Sequence, residues 1–303
     1  MDRRDCLIGL AAMFAGACSV LPERAVTAPT AGAPLEPPAR QPKRAPRIGL
    51  ALGGGAARGF AHIGVIKALE TNGIEAEIVA GTSAGAVVGS LYAAGHGAFD
   101  LQKLAFELEK SAVTDWSLFE RGWVKGEALE RFINEHVGNR PIEQLKRRFC
   151  AVATDLQQGR MTAFSSGSTG QAVRASAAVP GVFAPVLIRG VEYVDGGVSS
   201  PVPVRVARQM GAELVIAVDI SARPSGKRGR GSLDVLLDAA AIMGNRIASV
   251  ETAEAEIVVR PAVQGLTATA FEDRHRAILE GERAGFAAIA AIKQRIARTQ
   301  GTA

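Results

Sequence analysis

Cysteine is scarce: three residues among 303, at positions 6, 18 and 150, which excludes a disulfide-stapled scaffold. Aromatic residues make up 5%, and only four histidines occur, so each can be weighed as a catalytic base. The formal charge of +5 shrinks once it is located. Residues 1–46 hold six Lys/Arg and four Asp/Glu, leaving 29 against 26 for the rest. That is an ordinary surface and points to no nucleic-acid partner. The apolar run Leu7–Ala17 would span roughly 16 Å as a helix, about half a hydrocarbon core, so it is too short to cross a membrane. What is present is apolar bulk: 48% hydrophobic and 21% charged residues exclude disorder for most of the chain and leave ample core material.

Prolines divide the chain. Seven of the fourteen lie between Pro22 and Pro46. Ahead of them, residues 1–17 read as an export signal, with Arg3 and Arg4 before the apolar run. Ala15-Gly16-Ala17 then meets Cys18, which resembles the lipobox of bacterial lipoprotein signal peptides, although Leu is usual where Ala15 stands. The resemblance implies a lipidated Cys18 at the mature N-terminus, hence a membrane-anchored or periplasmic bacterial protein. Cleavage by an ordinary signal peptidase and an uncut buried start are the alternatives. Residues 18–46 lack aromatic residues and aliphatic runs, so a disordered tether to the anchor is expected, with a purposeless N-terminal extension as the other reading. Cys150, within Phe149-Cys150-Ala151-Val152-Ala153, reads as a buried small hydrophobe.

Residues 47–303 form one expected domain. Short apolar runs, among them Ile48–Leu52, Glu77–Ala80, Phe149–Thr154 and Leu214–Val218, alternate with helical patterns, one carrying Ile63, Ile66 and Leu69 and stopped at Asn72-Gly73 and others at 84–95, 100–110, 126–137, 204–210, 233–254 and 272–298. Further strands are expected at 161–164, 186–188, 191–194 and 257–259. The alternation predicts an α/β fold: a mostly parallel central sheet with helices on both faces.

Two strand-to-helix junctions carry the chemistry. Gly81-Thr82-Ser83-Ala84-Gly85 is a G-x-S-x-G turn, in which glycines leave room for a sharp bend that lifts the Ser83 hydroxyl over a helix N-terminus. Gly53-Gly54-Gly55-Ala56-Ala57-Arg58-Gly59 sits at the preceding junction. A dinucleotide loop would need G-x-G-x-x-G and an acidic residue ending the next strand, and neither is present. Backbone N–H donors beside the serine turn, an oxyanion hole, fit both motifs at once. A third element, Asp195-Gly196-Gly197, follows a strand, and Ala175-Ser176-Ala177-Ala178-Val179-Pro180-Gly181-Val182-Phe183-Ala184-Pro185 precedes it. These four blocks, in this order over residues 48 to about 220, resemble the patatin-like phospholipases.

The resemblance implies a three-layer sandwich and hydrolysis of phospholipid or other fatty-acyl esters without metal or cofactor. Ser83 would be the nucleophile and Asp195 the base. The oxyanion hole would fall to Gly54, Gly55 and Ala56, supported by Gly53, Arg58, Gly59, Gly81, Gly85, Gly196 and Gly197. Ala56 departs from the glycine many members carry. A carboxylate of ordinary pKa, about 3.9, is a weak base for an alcohol, so Asp195 must be desolvated to serve. The rival is an α/β-hydrolase triad, since Ser83, Asp195 and His275 run in that chain order. His275 lies in a charged helical stretch, His62 reads as a packing or capping residue, and His96 and His136 sit at helix ends. Asp155 and Asp219 read as structural. Arg58 either braces the glycine loop or meets a lipid phosphate. Residues 221–231, with four basic and no acidic side chains, are a solvated loop or a contact for anionic headgroups. A non-catalytic lipid-binding protein on the same fold is the competing class.

Overall fold

The computed structural model describes residues 44–116, 126–221, 231–264, 266 and 273–301. The expected leader, Cys18 and tether, and most of the basic run 221–231, lie outside them. The strands are β1 (Ile48–Leu52), β2 (Ile78–Thr82), β3 (Arg148–Asp155), β4 (Met161–Phe164), β5 (Val186–Ile188), β6 (Val191–Asp195), β7 (Leu214–Val218) and β8 (Ile257–Val259). Between them run α1 (Phe60–Thr71), α2 (Ala84–Ala94), α3 (Ala98–Trp116), α4 (Glu127–His136), α5 (Thr169–Ser176), α6 (Val204–Gln209), α7 (Ser232–Thr252) and α8 (Arg274–Gln300). The hydrogen-bonded order is β5-β6-β3-β2-β1-β7-β8, with β4 paired to β3. Ladders among β3, β2, β1, β7 and β8 are parallel, and those of β4, β5 and β6 antiparallel.

Strand alternation builds two cores. Leu50, Leu52, Val79, Phe149, Ala151, Leu214, Ile216 and Val218 face the layer holding α1, α2 and α8. Ala51, Ile78, Ala80, Cys150, Val152, Val215 and Ala217 face α6 and the buried end of α7. The predicted mostly parallel sheet with helices on both faces is thus the observed architecture. Cys150 is buried and free, and burial pushes its thiol pKa up to about 12. One helix, α5, goes beyond the sequence pattern. Its eight residues are too few to show a period, and its start is set by the Ser168 hydroxyl accepting from the Gln171 N–H at 3.3 Å.

The ladders on β3 fix the site. β2 pairs residues 148–152 of β3, β6 pairs residues 153–155, and β4 pairs residues 151–154. Because β4 shares residues with both others, it takes the opposite edge, and β2 and β6 meet end to end along one edge. Thr82 is opposite Val152 and Asp195 opposite Ala153. The end of β2 that leads into Ser83 therefore abuts the end of β6.

Candidate active site

Ser83 bridges β2 and α2 in a left-handed conformation, φ 55°, ψ −121°. Such a backbone costs a non-glycine residue about 1–3 kcal/mol, so its surroundings must hold it. Two close approaches do so. A Cβ on Gly81 would lie 2.5 Å from the Gly85 carbonyl oxygen, and one on Gly85 only 2.0 Å from that of Leu52. Neither position accepts a side chain, which is the physical content of the G-x-S-x-G spacing.

A third brace was not visible in the sequence. The Ser83 N–H donates to the buried Ser176 Oγ at 2.9 Å, and that hydroxyl donates to the Val152 carbonyl at 2.6 Å. Ser176 belongs to the Ala175–Pro185 block, whose presence was the only signal. Ser176→Ala leaves the buried Ser83 amide unpaired and is expected to destabilise the fold by about 1–3 kcal/mol. Equilibrium denaturation checks this.

Asp195 ends β6, buried beside that turn. Its N–H donates to the Ala178 carbonyl at 2.8 Å, and its own carbonyl accepts from Thr154 Oγ1 at 2.9 Å. Carboxylate Oδ1 accepts from the Gly197 N–H at 2.7 Å, which fixes the plane of the group. Oδ2 is buried with no hydrogen-bond partner among the described residues. Burial raises the Asp195 pKa to about 6, opposed by the Ser83 hydroxyl and the Gly197 N–H. The Ser83 hydroxyl thus lies within interaction range of the carboxylate without an ordinary hydrogen bond between them. Gly196 is required for this approach, since a Cβ there would meet the Val152 carbonyl oxygen at 2.1 Å.

The glycine loop lies against the serine: a Cβ on Gly54 would sit 3.3 Å from Ser83 Cβ. A Cβ on Gly59 would sit 2.5 Å from Ala84 Cβ, so the first turns of α1 and α2 are side by side. The hydrogen bonds correct one expectation. The Gly54 N–H, assigned to the oxyanion hole, donates to the Pro201 carbonyl at 2.9 Å, just as that of Gly53 donates to Val218 at 3.0 Å. The N–H groups of Gly55 and Ala56 have no acceptor among the described residues. Ala56 holds φ 51°, a left-handed conformation that explains why glycine suits this position.

Two buried groups steady the loop. His62 Nε2 meets the Gly53 carbonyl at 2.8 Å, and burial lowers its pKa to about 4, so a neutral imidazole donates there. Glu251, near the end of α7, accepts from Ser200 Oγ and from the Val202 N–H at 2.8 Å. It thereby fixes the segment whose Pro201 carbonyl takes the Gly54 N–H and whose Ser200 carbonyl takes the Thr82 hydroxyl at 2.8 Å. Burial raises the Glu251 pKa. A helical glutamate is ordinarily solvated, so its sequence gave no sign of this role.

The other candidates lie elsewhere. His275 is exposed, its ring 5.1 Å from that of Phe106, with no bond to Ser83 or Asp195. His96 and His136 bond to the carbonyls of His136 and Phe132. Asp155 caps its own turn through the Gln157 and Gln158 N–H groups, and Asp219 accepts from the Ser221 N–H and from Arg260. No carbonyl bonded to Arg58 is found among the described residues: its Nε is buried without a partner there, and burial lowers its pKa. Among the described residues no three His, Cys, Asp or Glu side chains cluster as metal ligands.

The fold and site define a class: a three-layer α/β protein in which a strained serine turn faces a glycine loop and one buried carboxylate. The family model for patatin-like phospholipase matches residues 50–208, just over half of the chain, and the protein belongs to that family. It is 40% identical over 184 residues to an uncharacterised NTE family protein of Mycobacterium bovis, covering 60% of this chain and 51% of that protein. Over 179 residues it is 32% identical to a lysophospholipase of Scheffersomyces stipitis, covering 57% of this chain and 12% of that protein. With the human patatin-like phospholipase domain-containing protein 6 it shares 36% over 184 residues, 58% of this chain and 13% of that one. The chain thus spans about half or less of the length of these curated relatives. Among solved structures it is similar to VipD from Legionella pneumophila, with a TM-score of 0.48 and 16% identity over 84% of this chain and 67% of that one.

Proposed function

We propose that the protein is a serine acyl hydrolase acting on fatty-acyl esters of phospholipids or lysophospholipids. The observation that carries this reading is the meeting of β2 and β6 on one edge of β3, with Asp195 Oδ2 buried and unbonded beside Ser83. In the proposed reaction Oδ2 takes the Ser83 proton as Oγ attacks the ester carbonyl carbon. The N–H groups of Gly55 and Ala56, with the adjoining starts of α1 and α2, stabilise the oxyanion. Asp195 returns the proton to the departing alcohol, and an acyl-Ser83 ester remains. Water, deprotonated by Asp195, then releases the fatty acid and restores Ser83.

The lysophospholipase and phospholipase-domain relatives favour a lipid ester over a small acyl ester. Neither rival has an observation in its favour. His275 stands against Phe106 rather than Asp195, and a purely binding protein has no need of a strained serine turn beside a desolvated carboxylate. The test is release of fatty acid from a panel of phospholipid, lysophospholipid and acylglycerol substrates by the full chain. Release above that of Ser83→Ala is expected; equality of the two would refute the reading. We further propose export by residues 1–17 and acylation of Cys18. Metabolic labelling with a fatty acid that disappears in Cys18→Ser is the expected result, and label retained in that variant would overturn it.

A further inference from the structure

Three consecutive residues tie the parts of the site together. The Ser200 N–H donates to the Gly196 carbonyl at 2.8 Å, one residue past Asp195. The Ser200 carbonyl accepts from Thr82 Oγ1 at 2.8 Å, one residue before Ser83. The Pro201 carbonyl accepts from the Gly54 N–H at 2.9 Å, one residue before the Gly55 N–H. The turns that carry base, nucleophile and oxyanion donors therefore all hang on the backbone of residues 200 and 201. That stretch is neither helix nor strand, so no ladder of its own holds it. Two further donors, the Ser200 hydroxyl and the Val202 N–H, end on the two oxygens of Glu251, the second at 2.8 Å.

Stability by itself does not account for a glutamate at this place. Glu251 is 6% exposed and stands one residue from the C-terminus of α7, where the helix dipole and desolvation both disfavour a carboxylate. Burial pushes its pKa up accordingly. What the carboxylate supplies is two acceptors in one plane, on a helix that also meets the Asp195 turn. A Cβ on Gly244 of that helix would lie 3.7 Å from the Gly197 carbonyl oxygen. Displacing residues 200–202 would shift all three parts of the site relative to one another, and a misplacement of about 1 Å can cost about 10²-fold in rate. We infer that Glu251 is a positioning residue for the Ser83 reaction, setting through Ser200 and Val202 the mutual placement of serine turn, glycine loop and Asp195 turn. The inference deepens the proposed hydrolysis and rests on it for turnover, but covalent labelling of Ser83 reads the placement without turnover.

Glu251→Ala removes both acceptors. In the full chain, at a temperature where unfolding curves show parent and variant folded, kcat for a soluble nitrophenyl ester should fall about 10²-fold with KM within about threefold. The rate of Ser83 labelling by a fluorophosphonate should fall in step. Glu251→Gln keeps the shape, an oxygen for the Val202 N–H and an amide N–H that can reach Ser200 Oγ, so it should restore kcat to within about fivefold of the parent. A purely structural glutamate would lower the unfolding midpoint and leave kcat of the folded protein unchanged, which overturns the inference. So does a glutamine variant as slow as the alanine one, because charge rather than placement would then matter. If Glu251→Ala fails to fold, Ser200→Ala decides: it deletes one hydroxyl and should lower kcat about tenfold, and a parent-like kcat overturns the inference. A parent no faster than Ser83→Ala refutes the proposed function instead. Labelling rates that still follow Glu251 would then leave the positioning role standing, and rates that ignore it would overturn that too.

Discussion

Ser83→Ala is expected to lower ester hydrolysis by at least about 10⁴-fold and to abolish labelling by a fluorophosphonate probe. In the proposed reaction this hydroxyl forms the acyl intermediate beside Asp195. Its loss removes a covalent step rather than a contact. The fold should survive, because alanine meets the same left-handed strain at φ 55° and keeps the N–H that Ser176 accepts. Retained labelling in the variant would place the nucleophile elsewhere.

Asp195→Asn is expected to act in opposite directions on activity and stability. Without a base, hydrolysis should fall by about 10³-fold or more. Stability at neutral pH should rise. The Asp195 pKa is lifted from 3.8 in the unfolded chain to about 6 in the fold by burial. Below pH 3.8 both states hold the proton and the group has no effect. As pH climbs to about 6 the unfolded chain ionises first, and stability falls by about 3 kcal/mol in all. Asparagine never ionises and escapes this loss. Denaturant unfolding of both proteins should therefore coincide near pH 3.5 and diverge by pH 7, with the variant the more stable. Activity of the parent should rise with pH through the same pKa, since the base works only when deprotonated. A variant less stable than the parent at pH 7 would mean that the carboxylate is held by partners rather than desolvated.

Much of this site can be read from local sequence. The glycines at 53–55, 81, 85 and 196 mark places where the backbone turns sharply or passes close to another chain segment, and such demands show in composition. The strands are legible for a similar reason, since a buried parallel sheet leaves continuous apolar runs such as Leu214–Val218. What escapes is tertiary. Gly54 is a plausible oxyanion donor until the Pro201 carbonyl claims its N–H across the fold. Ser176 looks like one small residue among alanines, and Glu251 like any helical glutamate, until burial gives each two partners. Helix α5 is too short for periodicity, and only its Ser168 cap marks its start.

The most direct test of the Ser83–Asp195 pair compares nitrophenyl ester hydrolysis by Asp195→Asn and His275→Ala under identical conditions. A dyad without histidine predicts loss of about 10³-fold or more in the first and a change within about twofold in the second. Activity retained by Asp195→Asn and lost by His275→Ala would contradict it.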